Sequence, residues 1–391
     1  LNNFDEIEKA YGELYSYCEA ERFAGWDPFD GLNSLYFQAT PLRFLAPARL
    51  FFLQIVKRSA RNLRPMLRIE KGVNAKGIAL FALAELARFR ATRDPRHESN
   101  AKNFLDQLLD LRIPGQQGAT QTPKSSWGYN FDWQSRAFFA PIGTPTIVPT
   151  AFAAQAFAEA HELFGDARYV QTVREVSVFI KSDLYRTAAD DSEVCFSYTP
   201  LDKTVIYNAS LLAAEILAIA GDADDLDLAA KAARFVIVRQ RDDGAWTYGE
   251  KRRHAWVDNF HTAFILVSLN RLNKRIAGLD CSDTIRRGLD FWLANHFLDD
   301  GTPKYFDRET YPVDIHSASA AIVALCELSE VDARCRPLAS KIASWLNVNM
   351  RDESGYYHYQ KRRSTTVKTP FVRWSNAWTA YALAKLLERG P

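Results

Sequence analysis

The sequence predicts an all-α fold, an (α/α)6 toroid built from about six helical hairpins, and three observations predict it. Ala-rich apolar helices recur along the chain. Charged amphipathic helices lie between them. Short turns follow the Ala-rich helices, whereas long aromatic loops follow the charged ones.

Taken in order, Thr150-Ala151-Phe152-Ala153-Ala154 and Asn208-Ala209-Ser210-Leu211-Leu212 open the earlier, weaker copies of the Ala-rich helix. Asp258-Asn259-Phe260-His261-Thr262-Ala263-Phe264, Asp314-Ile315-His316-Ser317-Ala318 and Ser375-Asn376-Ala377-Trp378-Thr379-Ala380-Tyr381 open the clearer ones. In these three an Asp or Ser precedes the apolar run, which reads as a helix N-cap. Small side chains allow close approach, so these helices form the inner ring. The segments Leu226 to Arg239, Thr284 to Asn295 and Pro337 to Asn347 are apolar at three- and four-residue spacing and charged elsewhere, as outer helices are. Each ends in a turn signal at Gly244, Gly301 or Gly355, a repeat of roughly 55 residues. Counting back predicts about twelve or thirteen helices and almost no strand. Phe164-Gly165-Asp166 and Gly221-Asp222-Ala223-Asp224 are the short turns at one end. The long loops gather at the other, where a rigid scaffold usually carries binding and chemistry.

Composition narrows the function classes. The 391 residues are 47% hydrophobic and 25% charged, with no low-complexity linker, so residues 1–391 read as a single toroid domain. Forty-nine Lys and Arg against 47 Asp and Glu give net +2, no global field for a nucleic-acid backbone. Cys18, Cys195, Cys281, Cys326 and Cys335 are scattered without a C-x-x-C pair, which implies reduced thiols rather than a disulfide frame or zinc site. The start lacks a basic then apolar leader and no apolar run is long enough to span a bilayer. A cytoplasmic chain without an integral membrane segment is expected. Nucleotide, zinc-protease, serine-hydrolase and calcium motifs are missing, so neither cofactor nor metal is expected.

The loops carry the functional signal. Trp127, Tyr129, Phe131 and Trp133 share one, Trp246, Tyr248 and Trp256 a second, Tyr305, Phe306 and Tyr311 a third, and Tyr356, Tyr357, Tyr359 and Trp374 a fourth. Flat aromatic faces stack on the C–H surfaces of sugar rings and keep polar edges for hydroxyls. Arg136, Arg252, Arg253, Lys368 and Arg373 supply forked or point charges to the same mouth, which suits an anionic oligosaccharide or polysaccharide. Asp132, Asp258 and Asp314, with His261 and His316, are the candidate acids and bases. Asp258 and Asp314 also have a purely structural reading as caps. Trp127, Tyr129, Trp133, Arg136, Trp246, Tyr248, Arg252, Arg253, Tyr305, Arg373 and Trp374 are the expected substrate-binding set.

With these residues in view, the chain resembles the six-hairpin glycosidase superfamily. More narrowly, Gly25-Trp26-Asp27-Pro28-Phe29-Asp30-Gly31-Leu32-Asn33-Ser34, Trp127-Gly128-Tyr129-Asn130-Phe131-Asp132-Trp133-Gln134 and Thr144-Pro145-Thr146-Ile147-Val148-Pro149-Thr150-Ala151-Phe152 resemble bacterial proteins of exopolysaccharide and surface-glycan biosynthesis loci. A second, local resemblance joins Lys231, Phe235, Gln240, Gly244 and Trp246 to the Gln/Trp repeat of squalene and hopene cyclases, and Asp222-Ala223-Asp224-Asp225 spells their acid motif. That tetrad falls at the short-turn end, so its economical role is structural. The resemblances imply a carbohydrate-active protein of polysaccharide biosynthesis, acting by hydrolysis, elimination or epimerisation on an anionic or lipid-linked oligosaccharide. A non-catalytic glycan-binding factor and a terpenoid cyclase are the alternatives.

Overall fold

The computed structural model describes residues 3–113, 123–135 and 138–388. Arg136 lies outside them. The helices are α1 (Asn3–Ala20), the one-turn α2 (Leu35–Gln38), α3 (Ala46–Arg58), α4 (Ala75–Thr92), α5 (Pro95–Asp110), α6 (Ile147–Phe164), α7 (Ala167–Asp183), α8 (Tyr207–Ala220), α9 (Ala223–Ile237), α10 (Asn259–Arg275), α11 (Ser282–Asn295), α12 (Ile315–Glu327), α13 (Cys335–Asn349) and α14 (Trp378–Glu388).

Helices α4, α6, α8, α10, α12 and α14 pack each on the next, and α14 returns to α4, which closes an inner ring. Outside it α5, α7, α9, α11 and α13 each pack on the inner helix that precedes them in the chain, and α1 packs on α14. This is an (α/α)6 toroid. The division follows composition: nearly every residue of α4, α6, α8 and α12 is buried, whereas α5, α7, α9 and α11 bury one stripe each.

The short turns form as their residues dictate. Gly165 and Gly221 end α6 and α8 at φ +70° and +80°, a left-handed conformation that favours glycine. Asp166 and Asp222 then cap α7 and α9. The acid-motif tetrad therefore caps an outer helix, with Asp222 and Asp225 both held by Lys181 at the end away from the long loops. Gln240 donates to the carbonyls of Gly244 and Thr284, and the Trp246 indole donates to Val236, so the Gln/Trp motif ties α9 to its loop and to α11.

Two expectations change in detail. Ser375 does not cap its helix, because α14 is preceded by a π-helical turn, Val372–Ala377, that contains it. Short strands also appear at the long-loop end: β1 (Trp133–Gln134) with β2 (Phe139–Ala140), β3 (Arg186–Ala189) with β4 (Val194–Phe196), and β5 (Val313–Asp314) with β6 (Gln360–Lys361) and β7 (Thr366–Val367). Loops this long satisfy their backbone groups by pairing locally.

The ring's axis is filled in layers. At the C-terminal ends of the inner helices Glu215 accepts from Gln155, Ser268 and Arg271, while Arg271 and Lys385 reach Glu327. In the middle, Phe152, Phe264 and Trp378 pack edge to face and tilted, 5.3 to 6.1 Å between centroids. Above them, at the N-terminal ends, the axis opens. All five cysteines are buried as thiols, with no disulfide among the described residues. Among the described residues no helix is long and apolar enough to cross a membrane.

Candidate functional site

The opening is a cavity of about 560 Å³, ringed by the long loops and by the first turns of the inner helices. Trp133, Tyr129, Phe131, Tyr198, Tyr248, Trp256, Tyr305, Phe306 and Trp374 form its walls. Tyr248 stacks on Trp256 at 4.8 Å, and Tyr129 on Phe131 at 5.1 Å. The charged lining is basic, Lys57, Arg58, Lys76 and Arg373, and the imidazoles of His254, His261 and His316 join it. No described Asp or Glu lines the cavity.

The carboxylates stand one layer behind. Asp258 caps α10 by accepting from the His261 backbone N–H at 3.0 Å. Its other oxygen accepts from the Trp256 indole at 2.9 Å and meets His261 Nδ1 at 2.7 Å. A carboxylate only accepts, so Nδ1 is the donor in this bond and Nε2 is the nitrogen left for the cavity. Asp314 caps α12 through the His316 N–H and also accepts from the Trp374 indole and Gln360. Burial pushes Asp314 up to about 6. His316 lies flat on Trp374, 4.3 Å between centroids, and neither of its ring nitrogens has a partner among the described residues. Burial holds His316 well below the ordinary imidazole range, with Lys76 and Arg373 acting in the same direction. Its surroundings disfavour the imidazolium form. His261 and His316 flank one ring, Phe260, at 4.0 and 4.5 Å.

Arg373 is fixed by Asp27, whose two oxygens accept from Nε at 2.6 Å and from the terminal nitrogen at 2.8 Å, both residues being buried. Asp27 sits in the Gly25–Ser34 segment, which a bridge from Trp26 to Phe371 joins to the π-helical turn. Asp30 in the same segment holds Arg64 at 2.7 Å. The segment thus braces the cavity wall.

The structure divides the expected residues. Tyr129, Trp133, Tyr248, His261, Tyr305, His316, Arg373 and Trp374 line the cavity. Asp258 and Asp314 are caps that support lining residues. Asp132 stays outside, because its side chain accepts from the Ile142 N–H at 2.7 Å and ties together the two ends of the β1–β2 hairpin. Trp127 and Trp246 are core residues, fully buried with their indoles bonded to the carbonyls of Leu108 and Val236. Arg252 and Arg253 are exposed in a short 3-10 turn, and it is His254 of that turn that faces inward. Lys57 and Lys76 were not anticipated. Lys76 carried a signal, as the one charged side chain in the first turn of an Ala-rich helix. Among the described residues no cluster of three or more His, Cys, Asp or Glu is placed to hold a metal ion.

No family model matches the chain, and no curated protein matches it in sequence. Solved structures do. Cellobiose 2-epimerase from Bacillus thermoamylovorans is 11% identical with a TM-score of 0.61, over 82% of this chain and 90% of the epimerase. The chain has the six-hairpin toroid fold. An unsaturated glucuronyl hydrolase specific for heparin is 12% identical at TM-score 0.59, over 99% of this chain and 97% of its own. A Bacteroides thetaiotaomicron α-mannanase is 11% identical at 0.60, over 80% and 86%. Identities this low establish a shared toroid and leave the chemistry to the residues of the cavity.

Proposed function

We propose that this toroid is a carbohydrate-processing enzyme whose chemistry is proton transfer at an acidic C–H of a sugar, as in epimerisation, isomerisation or elimination. The observation that carries the proposal is the pair of imidazoles, His261 and His316, in a cavity that no described carboxylate lines. Hydrolysis by the usual route needs two carboxyl groups flanking the bond. Removing the proton next to a carbonyl needs a base on one face, an acid on the other and a cation for the developing oxyanion. His261, oriented by Asp258, and His316 suit the first two roles in turn, one taking a proton from its face while the other, protonated, delivers one from the opposite face, and Arg373 suits the third. Aromatic walls suit stacking on sugar faces. The basic lining favours an anionic sugar such as a uronate over a neutral one. Epimerases and a mannose isomerase among the fold relatives agree with this reading.

The test is incubation of the protein with a panel of neutral and uronic-acid reducing sugars in heavy water, followed by proton NMR. Deuterium entering the carbon next to the carbonyl, and absent when His261→Asn and His316→Asn are combined in one chain, is the expected result. Binding without any exchange makes the protein a glycan-binding factor, and cleavage of a glycosidic bond without exchange returns hydrolysis to the front.

A further inference from the structure

The cavity floor holds a group that proton transfer leaves unused. Lys76 follows the Asn74 cap of α4 by two residues and is 3% exposed, yet it lines the cavity. Its ammonium nitrogen lies 4.4 Å from the centroid of Phe152, 5.1 Å from Trp378 and 5.8 Å from Phe264, the three rings that close the axis. Among the described residues it makes no side-chain hydrogen bond and no ion pair.

A cation in this position is poorly supported. Burial is the largest effect, and Arg373 adds like-charge repulsion. Asp27 opposes both, but its oxygens are already engaged by Arg373. The N-terminal turn of α4 adds a further unfavourable dipole. The ring faces recover only part of the lost hydration. Proton affinity at Lys76 is accordingly held well below that of an ordinary lysine. A lysine desolvated beside another cation is an activated nucleophile near neutral pH.

We propose that Lys76 is a carbonyl-trapping amine, its Nζ condensing with the aldehyde or ketone carbon of an open-chain sugar to form an imine in the cavity. This rests on the reading of the cavity as a sugar site. The Nζ lone pair forms the C–N bond, the carbonyl oxygen takes up protons and leaves as water, and the nitrogen keeps one proton as an iminium. The iminium draws electrons from the neighbouring C–H bond, whose proton an imidazole removes and returns. Water then hydrolyses the imine and restores amine and carbonyl, so no oxidant or reductant is consumed. His316 is placed for this, 4.9 Å from Trp378 and 6.1 Å from Phe264, two of the rings beneath Lys76.

Glycolaldehyde, the smallest 2-hydroxy aldehyde, is a suitable probe. The full chain is treated with it and sodium cyanoborohydride at neutral pH, and the alkylated lysines are mapped by peptide mass spectrometry. Lys76 is expected to react on the order of tenfold or more faster than exposed lysines, because far more of it is neutral. The adduct disappears in Lys76→Gln, whose thermal melt confirms folding, and persists in His316→Asn. Reaction at Lys76 no faster than at surface lysines overturns the proposal, and this comparison needs no variant. Deuterium exchange into a sugar with no adduct at Lys76 also overturns it, while leaving the proton-transfer reading intact. Trapping at Lys76 with no exchange into any sugar supports the amine and removes that reading.

Discussion

Replacing Asp258 by asparagine separates two roles that one carboxylate performs. As a cap, the amide oxygen still accepts from the His261 N–H, and asparagine caps helices as well as aspartate does. The other atom becomes an NH₂ facing the Trp256 indole and His261 Nδ1, which now sit 2.9 and 2.7 Å from the second carboxylate oxygen. An NH₂ cannot accept from the indole N–H, so one half-buried donor loses its partner at a cost of about 1–3 kcal/mol. It can donate to Nδ1, which moves the imidazole proton to Nε2 and leaves the cavity facing a donor instead of a base. Asp258→Asn should therefore lower stability in urea by about 1–3 kcal/mol without changing the denaturant slope, and should slow deuterium exchange of the epimer whose proton His261 removes by about 10²–10⁴-fold. The same stability loss with unchanged exchange would refute the reasoning and reduce Asp258 to a cap.

Asp27→Asn leaves the Arg373 guanidinium buried without its counter-charge and should cost about 3–5 kcal/mol in urea unfolding, whereas a loss below about 1 kcal/mol would mean that Arg373 finds solvent. Gly288→Ala places a Cβ within 2.5 Å of the Trp246 ring and 2.9 Å of Leu266, so it should destabilise by about 1–3 kcal/mol while sugar binding, measured by calorimetry, is unchanged. Burial raises Asp314 to about 6, so the native state holds a proton that the unfolded chain releases at the ordinary value of about 3.9. Its contribution to stability is complete below that ordinary value and is lost as pH rises through the folded one. Asp314→Asn, which can keep the bonds from His316 and Trp374, should flatten this decline, and an unchanged pH profile of the melting temperature would contradict it.

The hairpin repeat was legible because helical periodicity, caps and turn glycines are local signals, and Asp258, Asp314, Gly165 and Gly221 behave as their neighbours in sequence dictate. The aromatic loops were legible as a group, but not ring by ring. Trp127 and Tyr129 are two residues apart in one loop, yet the first is core and the second cavity wall. What separates them is the carbonyl of Leu108 that receives the Trp127 indole, a partner 19 residues away. Asp132 misled for the same reason, since a loop carboxylate with no local partner finds the Ile142 backbone only after folding. Lys57, on α3, lines the cavity and Asp27 holds Arg373 from behind its wall, both from segments that the repeat does not cover, so periodicity could not point to them.

Interconversion of two C2 epimers by the single-histidine variants probes the imidazole pair most directly. Each epimer is incubated in heavy water with His261→Asn and with His316→Asn, and both C2 deuteration and epimer formation are followed by NMR. Two imidazoles on opposite faces predict that each variant loses epimerisation but still exchanges the proton of one epimer, a different one for each variant. Full epimerisation surviving in either variant would contradict the pair.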